Sequence, residues 1–426
     1  MPENLDGWLQ YLESLHPKTV DLGLERVLAV KERLGLHPVF AIITVAGTNG
    51  KGSTCAMLES ILRAGGYRTG LYTSPHLLRY NERVRLNGAE AGDAALCEIF
   101  AAIEAGRGET PLTYFEFGTL AALWLFTREK LDVVVLEVGL GGRLDAVNAW
   151  EPDCAVVTSV DIDHTDWLGE TREAIGFEKA GIFRSGKPAI CGDPQPPASL
   201  IEHAAKIGTD FRRIGEDFGY DGVEPVQWRY WESGGRRLVL PHPALRGAYQ
   251  LGNASCVLAA LGTLSARLPL SNDDIRRGLL EVALTGRFQV LPGRPQVILD
   301  VAHNPHAAAA LAANLRGMPP TGRTLAVFAM LRDKDIAGVV QCLRDAVDVW
   351  LIAGIAEPRG ASAEELLAIL QTEGLAGRVL CFDNVAAAYR HACNMAGVDD
   401  RIAAFGSFYT VADVLSERMA RPAAQP

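Results

Sequence analysis

The run Ile42-Ile43-Thr44-Val45-Ala46-Gly47-Thr48-Asn49-Gly50-Lys51-Gly52-Ser53-Thr54 constrains this chain more than any other stretch. An apolar segment breaks into a glycine loop bearing a lysine and hydroxyls, then enters a helix-like segment, Cys55 to Ala64. That order builds a phosphate cradle: glycines let backbone N–H groups turn toward phosphate oxygens, the helix N-terminus adds positive partial charge, and the lysine supplies a full one. The spelling departs from the conventional P-loop, because only Thr48 and Asn49 separate Gly47 from Gly50, and Gly52 stands between Lys51 and Ser53. A Gly/Asn/Thr cluster can also be an ordinary turn. The lysine, the hydroxyls and the strand-to-helix setting favour phosphate.

Size and composition bound what surrounds this loop. At 426 residues the chain is long for one core, so two domains are expected. Hydrophobic residues at 48% and charged ones at 22% describe a soluble globular protein, and a net charge of -10 argues against nucleic acid or an anionic membrane as the main partner. An anionic nucleotide must then be held by local positive sites and a metal. Met1 to Tyr11 lacks a basic region followed by an apolar run, and no segment approaches the roughly 18 apolar residues that cross a bilayer, so a cytoplasmic location is expected. The eight cysteines stand singly without a CxxC pair, which predicts reduced, mostly buried thiols. No heptad pattern suggests a coiled-coil partner, and a monomer is expected.

Short apolar runs alternate with helix-like segments: Val39 to Val45, Val133 to Val138, Ala155 to Val160, Val297 to Val301, Thr324 to Ala329 and Val349 to Ala353. This alternation predicts an α/β protein with parallel sheets covered by helices. In doubly wound sheets, ligands collect at the carboxyl ends of strands. There lie the glycine loop, Glu137, Asp161, His164, Asp300 and His303. Between Phe211 and Pro243 the pattern turns aromatic and charged, which predicts a small antiparallel sheet appended to the first domain. A boundary is expected near Thr285 to Pro292, and Arg421 to Pro426 reads as a frayed tail.

Other constellations admit two readings each. In Thr73-Ser74-Pro75-His76 through Arg85, a hydroxyl held by the following proline suits a metal and three arginines suit carboxylates or phosphates, while the plain alternative is a solvated basic loop. Glu137 ends a very apolar strand, and a buried carboxylate requires a cation or strong donors. Magnesium would serve, as would a helix N-cap or an ion pair with Arg143. His164, in an acidic turn, is either a metal ligand or a histidine satisfied by hydrogen bonds. Lys179 is either a solvated helix lysine or, given its apolar neighbours, a desolvated amine able to react with carbon dioxide and form a metal-binding carbamate.

Taken in order, Gly47 to Ser53, Ser74-Pro75-His76-Leu77, Glu137-Val138-Gly139-Leu140-Gly141-Gly142-Arg143-Leu144-Asp145-Ala146, Asp163-His164, Glu178-Lys179-Ala180-Gly181-Ile182 and Asp300-Val301-Ala302-His303-Asn304-Pro305 resemble the motifs of folylpolyglutamate synthases. The chain is similar, from about Trp8 to Val414, to the bacterial bifunctional dihydrofolate synthase/folylpolyglutamate synthase branch of the Mur ligase superfamily. That resemblance implies a P-loop-type ATPase domain with a small appended sheet over residues 1–287, carrying the pteroate pocket, followed by a Rossmann-like domain over 288–426. It implies that Gly47, Thr48, Asn49, Gly50, Lys51, Gly52 and Ser53 cradle ATP phosphates, with Asn253, Arg287 and Asp300 also holding the nucleotide. Ser74, Glu137 and His164 would ligate magnesium together with a carbamylated Lys179, and a monovalent cation is admitted. Thr19, Val20, Asp21 and Leu22, with Thr113, Tyr114, Phe115, Glu116, Leu144, Asp145 and Ala146, would form the pteroate pocket. Arg83, His303 and Ser407 would hold the incoming glutamate, and Lys51, Lys179 and His303 stand as catalytic candidates.

The implied partners are ATP, 7,8-dihydropteroate, reduced folates and L-glutamate. The implied chemistry suits the residue types: ATP activates a carboxylate as an acyl phosphate, and the glutamate amine displaces phosphate. No serine or cysteine nucleophile is needed, and no GxSxG signature is present. Closure of two domains on the substrates would exclude water. A monofunctional polyglutamylase shares most of these motifs. A cell-wall Mur-type ligase shares the chemistry, a phosphotransferase leaves Asp300 to Pro305 unexplained, and a nucleotide-gated switch would be expected to lack one of the matched residues.

Overall fold

A computed structural model describes residues 2–18, 20–247, 249–319 and 322–420. The chain divides into two compact units, one of Met1–Ala244 with Leu251–Val282, the other of Leu245–Gln250 with Ala283–Pro426.

The first unit is organised on an eight-stranded sheet. Its strands are β1 (Ala41–Ala46), β2 (Thr69–Tyr72), β3 (Val84–Leu86), β4 (Ala89–Glu90), β5 (Val133–Glu137), β6 (Cys154–Val157), β7 (Pro188–Cys191) and β8 (Asp210–Arg213), in the spatial order β4-β3-β2-β5-β1-β6-β7-β8. Pairing is parallel from β2 through β8, and only the β3 and β4 edge is antiparallel. Every residue of β1, β5 and β6 is buried, which is why these strands read as mostly apolar runs, with Thr44 and Glu137 the polar exceptions. The chain leaves β1 toward β2 on one side and returns to β6 on the other, so the carboxyl ends of β5, β1 and β6 meet at a topological switch point.

β9 (Phe218–Asp221), β10 (Gln227–Glu232) and β11 (Arg237–Pro241) form the separate three-stranded antiparallel sheet. The small sheet therefore begins later than expected. Asp210–Arg213 instead extends the large sheet, because its backbone continues the parallel ladder from Pro188–Cys191.

The second unit carries β12 (Gln289–Leu291), β13 (Gln296–Leu299), β14 (Thr324–Phe328), β15 (Val349–Ala353), β16 (Val379–Phe382) and β17 (Arg401–Phe405), ordered β12-β13-β17-β14-β15-β16. All neighbours are parallel except β12 with β13.

Each unit has its own core. Trp8, Phe100, Phe117, Phe126 and Trp150 cluster in the first, and Ile175, Ile182 and Leu200 in a second cluster of that unit. In the second unit Phe328 stands edge-on to Trp350 at 5.3 Å and tilted against Phe405 at 5.3 Å. Burying each such ring contributes roughly 1.5–3 kcal/mol. Local signals set the helix starts near the site. Thr113 and Glu116 form a capping box on Tyr114–Arg128, Thr171 caps Arg172–Ala180, and Asn304 caps Pro305–Gly317, whose first residue is proline.

Candidate active site

The glycine loop leaves β1 with Gly47 at φ 150° and Gly50 at φ 88°. A Cβ on Gly47 would collide with Thr158 Oγ1, and one on Gly50 would lie 2.6 Å from Asn253 Oδ1, so both positions require glycine. The following helix runs Lys51–Ala64 and begins at the lysine, four residues before the expected start. The loop is clamped to the turn after β6. Thr48 N–H donates to Ser159 O at 2.8 Å, Asn49 N–H to Ser159 Oγ at 3.1 Å, and Thr158 Oγ1 to Asn49 O at 2.6 Å. Asp161 N–H donates to Thr48 Oγ1 at 2.9 Å, and that hydroxyl donates to Asp161 O at 3.0 Å. Lys51 Nζ donates to Gly47 O at 2.9 Å and Thr48 O at 3.3 Å, which holds its charge over the loop.

Beside this loop, Glu137 is 4% exposed at the end of β5, directly opposite Val45. It accepts from Ser74 N–H at 3.2 Å, which joins two of the expected metal ligands. The alternative ion pair with Arg143 does not form, because Arg143 donates to Glu178 at 2.8 Å. Lys179 is buried, and its Cα packs against Gly142 of the loop that follows Glu137. Burial, and after it the charge of Lys51, pulls the Lys179 amine down to about 7, with Asp163 and Asp145 opposing. His164 adopts the left-handed conformation at φ 54°, and its Nε2 lies 3.9 Å from Asp163 Oδ2. Among the described residues no group of three or more His, Cys, Asp or Glu side chains is arranged for a metal. The expected set contains only two such residues, Glu137 and His164.

Of the pteroate-pocket candidates, Thr19 lies outside the described residues. Asp21 and Glu116, distant in sequence, are bridged by Arg26, a residue the sequence did not single out. Arg26 Nη1 donates to Asp21 Oδ2 at 2.8 Å, its Nη2 lies 3.0 Å from Glu116 Oε1, and its Nε donates to the same oxygen at 3.1 Å. Val20 and Leu22 flank Asp21 half-buried. The Phe115 ring packs on Gly139, where a Cβ would come within 2.6 Å of it. That contact brings the Thr113–Glu116 segment against the loop holding Leu144, Asp145 and Ala146. Asp145 is buried and accepts from Leu140 N–H at 2.9 Å and Val147 N–H at 3.0 Å. Burial raises its carboxyl to about 6 despite these donors. Arg83 lies over the rings of Tyr80 and Tyr114 at 5.6 and 5.5 Å, and its Nε donates to His76 Nδ1 at 2.7 Å.

In the second unit the candidates gather at the carboxyl ends of the neighbouring strands β13 and β17. Asp300, its carboxyl raised by burial, accepts from Phe288 N–H at 2.9 Å and Ala302 N–H at 2.8 Å. His303 Nδ1 lies 2.8 Å from Val301 O; a carbonyl only accepts, so Nδ1 carries the hydrogen and a neutral ring has its lone pair on Nε2. The Phe408 ring lies 5.0 Å from the Arg287 guanidinium and 6.4 Å from the His303 ring, and buried Ser407 precedes it in the chain. Asn253 lies beside Gly50 in the first unit, whereas Arg287 and Asp300 belong to the second.

Thr158 and Ser159, like Arg26 and His76, carry site geometry without having been singled out. Small hydroxyls and a helix arginine have no local signal, although His76 lies within the Ser74-Pro75-His76-Leu77 motif.

Comparison with known proteins gives a consistent answer. Residues 45–261 match the Mur ligase middle domain, and residues 286–408 match the Mur ligase glutamate ligase domain. The dihydrofolate synthase/folylpolyglutamate synthase of Escherichia coli (strain K12) is 50% identical over 412 residues, covering 96% of this chain and 94% of that one. That of Haemophilus influenzae is 43% identical, covering 96% of each. Among solved structures, E. coli FolC in complex with DHPP and ADP superposes with TM-score 0.94 at 49% identity, covering 99% of this chain and 100% of that one. A bifunctional folylpolyglutamate synthase/dihydrofolate synthase with Mn, AMPPNP and L-glutamate bound gives 0.90 at 49% identity, covering 98% of each.

Proposed function

We propose, from the premise that the chain belongs to the dihydrofolate synthase/folylpolyglutamate synthase family of Mur ligases, that it is an ATP-dependent amide ligase. It adds L-glutamate to 7,8-dihydropteroate, giving dihydrofolate, and to reduced folates, giving folylpolyglutamates. The observation that carries this reading is the convergence of Lys51, the Ser74–Glu137 pair and buried Lys179 around one phosphate cradle. Residues 1–287 are assigned to nucleotide and pteroate, and 288–426 to the glutamate ligase part.

A hydroxyl, a carboxylate and an imidazole suit a hard divalent cation, and the buried Glu137 carboxylate needs positive charge nearby. Ser74, Glu137 and His164 would hold magnesium, joined by Lys179 once its amine has added carbon dioxide and lost a proton to give a carbamate. Bound there, the ion would neutralise phosphate charge during transfer. The chain's own groups do the rest. The loop N–H groups and the helix N-terminus at Lys51 orient the phosphates, and Lys51 stabilises charge on the transferred phosphoryl. The acceptor's carboxylate attacks the γ-phosphorus, ADP leaves, and an acyl phosphate remains. The glutamate amine then attacks the carbonyl, phosphate departs, and His303 Nε2 accepts the amine's proton. Arg83 and Ser407 hold glutamate, while Phe115 and Tyr114 face the pterin. Asn253, Arg287 and Asp300 are assigned to the nucleotide. A cytoplasmic location and a monomeric state belong to the same reading; among the described residues no helix is long and apolar enough to cross a membrane.

The test is phosphate release with ATP, magnesium and L-glutamate, comparing 7,8-dihydropteroate and tetrahydrofolate, with products identified by mass. Turnover of both is expected. Tetrahydrofolate alone would reduce the protein to a polyglutamylase, and silence with both would remove the ligase reading.

A further inference from the structure

The three arginines of the segment after Ser74 differ in their partners. Arg79 pairs with Asp93 at 3.1 Å, and Arg85 pairs with buried Glu59 at 2.8 Å. Among the described residues Arg83 makes no ion pair. It is half-buried, stacked on the faces of Tyr80 and Tyr114, and its side chain donates from Nε to His76 Nδ1 at 2.7 Å. An arginine in a protein is always a donor, so Nδ1 must present a lone pair, and the neutral ring carries its hydrogen on Nε2. A neutral acceptor fixes the guanidinium plane without cancelling its charge. Both terminal nitrogens then retain the fork that matches a carboxylate in two parallel hydrogen bonds.

The acceptor is itself held firmly. Glu82 accepts from the N–H groups of Leu77, Leu78 and Arg79 at 2.7, 2.7 and 2.8 Å, which locks the turn carrying His76, and the His76 ring meets Tyr80 edge-on at 6.0 Å. An aspartate or glutamate in place of His76 would hold Arg83 equally well but would fill its charge. A histidine holds the fork and leaves it charged for ligand.

We propose that His76 is the positioning residue of a substrate-carboxylate site built on Arg83. The inference rests on the ligase reading above and deepens it. The carboxylate is that of incoming L-glutamate, as assigned above; the pteroyl acceptor's is the other outcome of the test, and the two are separated by which Michaelis constant moves.

The experiment measures kcat and the KM values for L-glutamate, dihydropteroate and ATP in wild type, His76→Phe and His76→Asn. Phenylalanine keeps the ring and removes the acceptor; asparagine restores an oxygen near the Nδ1 position. His76→Phe is expected to raise one carboxylate substrate's KM roughly 10–100-fold, with kcat within about threefold and the ATP KM unchanged, since one oriented charge-assisted contact is lost. His76→Asn should recover most of that loss. Equal defects in both variants, or an unchanged KM in His76→Phe, would overturn the proposal. Nitrogen-15 shifts of the wild-type imidazole provide a readout independent of how the variants fold: an Nε2–H tautomer is expected at neutral pH, and an Nδ1–H tautomer overturns the assignment. Failure of the wild type to ligate glutamate would remove the ligase reading and this inference together, whereas wild-type turnover with a normal His76→Phe KM removes this inference alone.

Discussion

Lys179 shows what one residue contributes through its surroundings. On the helix Arg172–Ala180 it would be an ordinary surface lysine, yet its backbone packs against Gly142 and burial brings its amine down to about 7. The unfolded chain keeps the usual value of 10.5. Between about pH 7 and 10.5 the unfolded state therefore binds more protons, and stability rises with pH through that window. Below pH 7 both states are protonated and the burial penalty is constant, on the order of a few kcal/mol. In carbon-dioxide-depleted, metal-free buffer, Lys179→Met should flatten the pH dependence of urea stability between pH 7 and 10 and raise stability at pH 7, while ligase activity is lost. A variant with the wild-type slope would show that the slope arises elsewhere. The lysine and its apolar neighbours were legible in the sequence; the contact at Gly142 and the repulsion from Lys51 were not, because both come from elements distant in the chain.

Arg26 couples two elements. The stretch before the helix Glu25–Leu34 and the start of the helix Tyr114–Arg128 are tied by one guanidinium shared between Asp21 and Glu116. Glu116 is only 4% exposed and also completes the capping box by accepting Thr113 N–H at 2.8 Å. Removing Arg26 leaves that carboxylate buried without its counter-charge, at a cost of about 3 kcal/mol. In urea unfolding, Arg26→Met should cost that amount, and Arg26→Met with Glu116→Gln should be less destabilised than the single variants sum to, with a coupling above about 1 kcal/mol. Strict additivity would show the pair to be energetically idle. The capping box was readable as Thr113-x-x-Glu116, a local pattern. The arginine was not, since its partner stands 90 residues away and helix periodicity carries no information about that pairing.

The whole molecule has two cores of unequal aromatic content. Trp350 is the one tryptophan of the second unit, and the other six lie in the first. Each unit buries its own rings, so ligand-free unfolding is expected in two steps. Fluorescence of Trp350→Phe follows the first unit alone, while far-ultraviolet circular dichroism follows both. Their urea transitions should differ in midpoint, and coincident curves would show that the cores melt as one. The main strands were readable from their apolar runs, because a strand buried on both faces is mostly apolar, with Thr44 and Glu137 as the polar exceptions in β1 and β5. Phe211–Arg213, expected in the small sheet, belongs to the edge of the large one: a charged strand at the edge of a parallel sheet looks like a strand of a small antiparallel one.

The glycine loop, the apolar strands around it and the motifs that carry the family resemblance were legible from the residues alone, since each depends on positions close in the chain. Only tertiary structure decided that Arg143 would take Glu178 and leave Glu137 beside Ser74, that Thr158 would exclude a side chain at Gly47, and that His76 would be the acceptor holding Arg83. The physical reason is the same in each case. A buried charge or a crowded backbone is defined by what packs on it, and the packing partners come from strands and turns whose neighbourhood is set by sheet order.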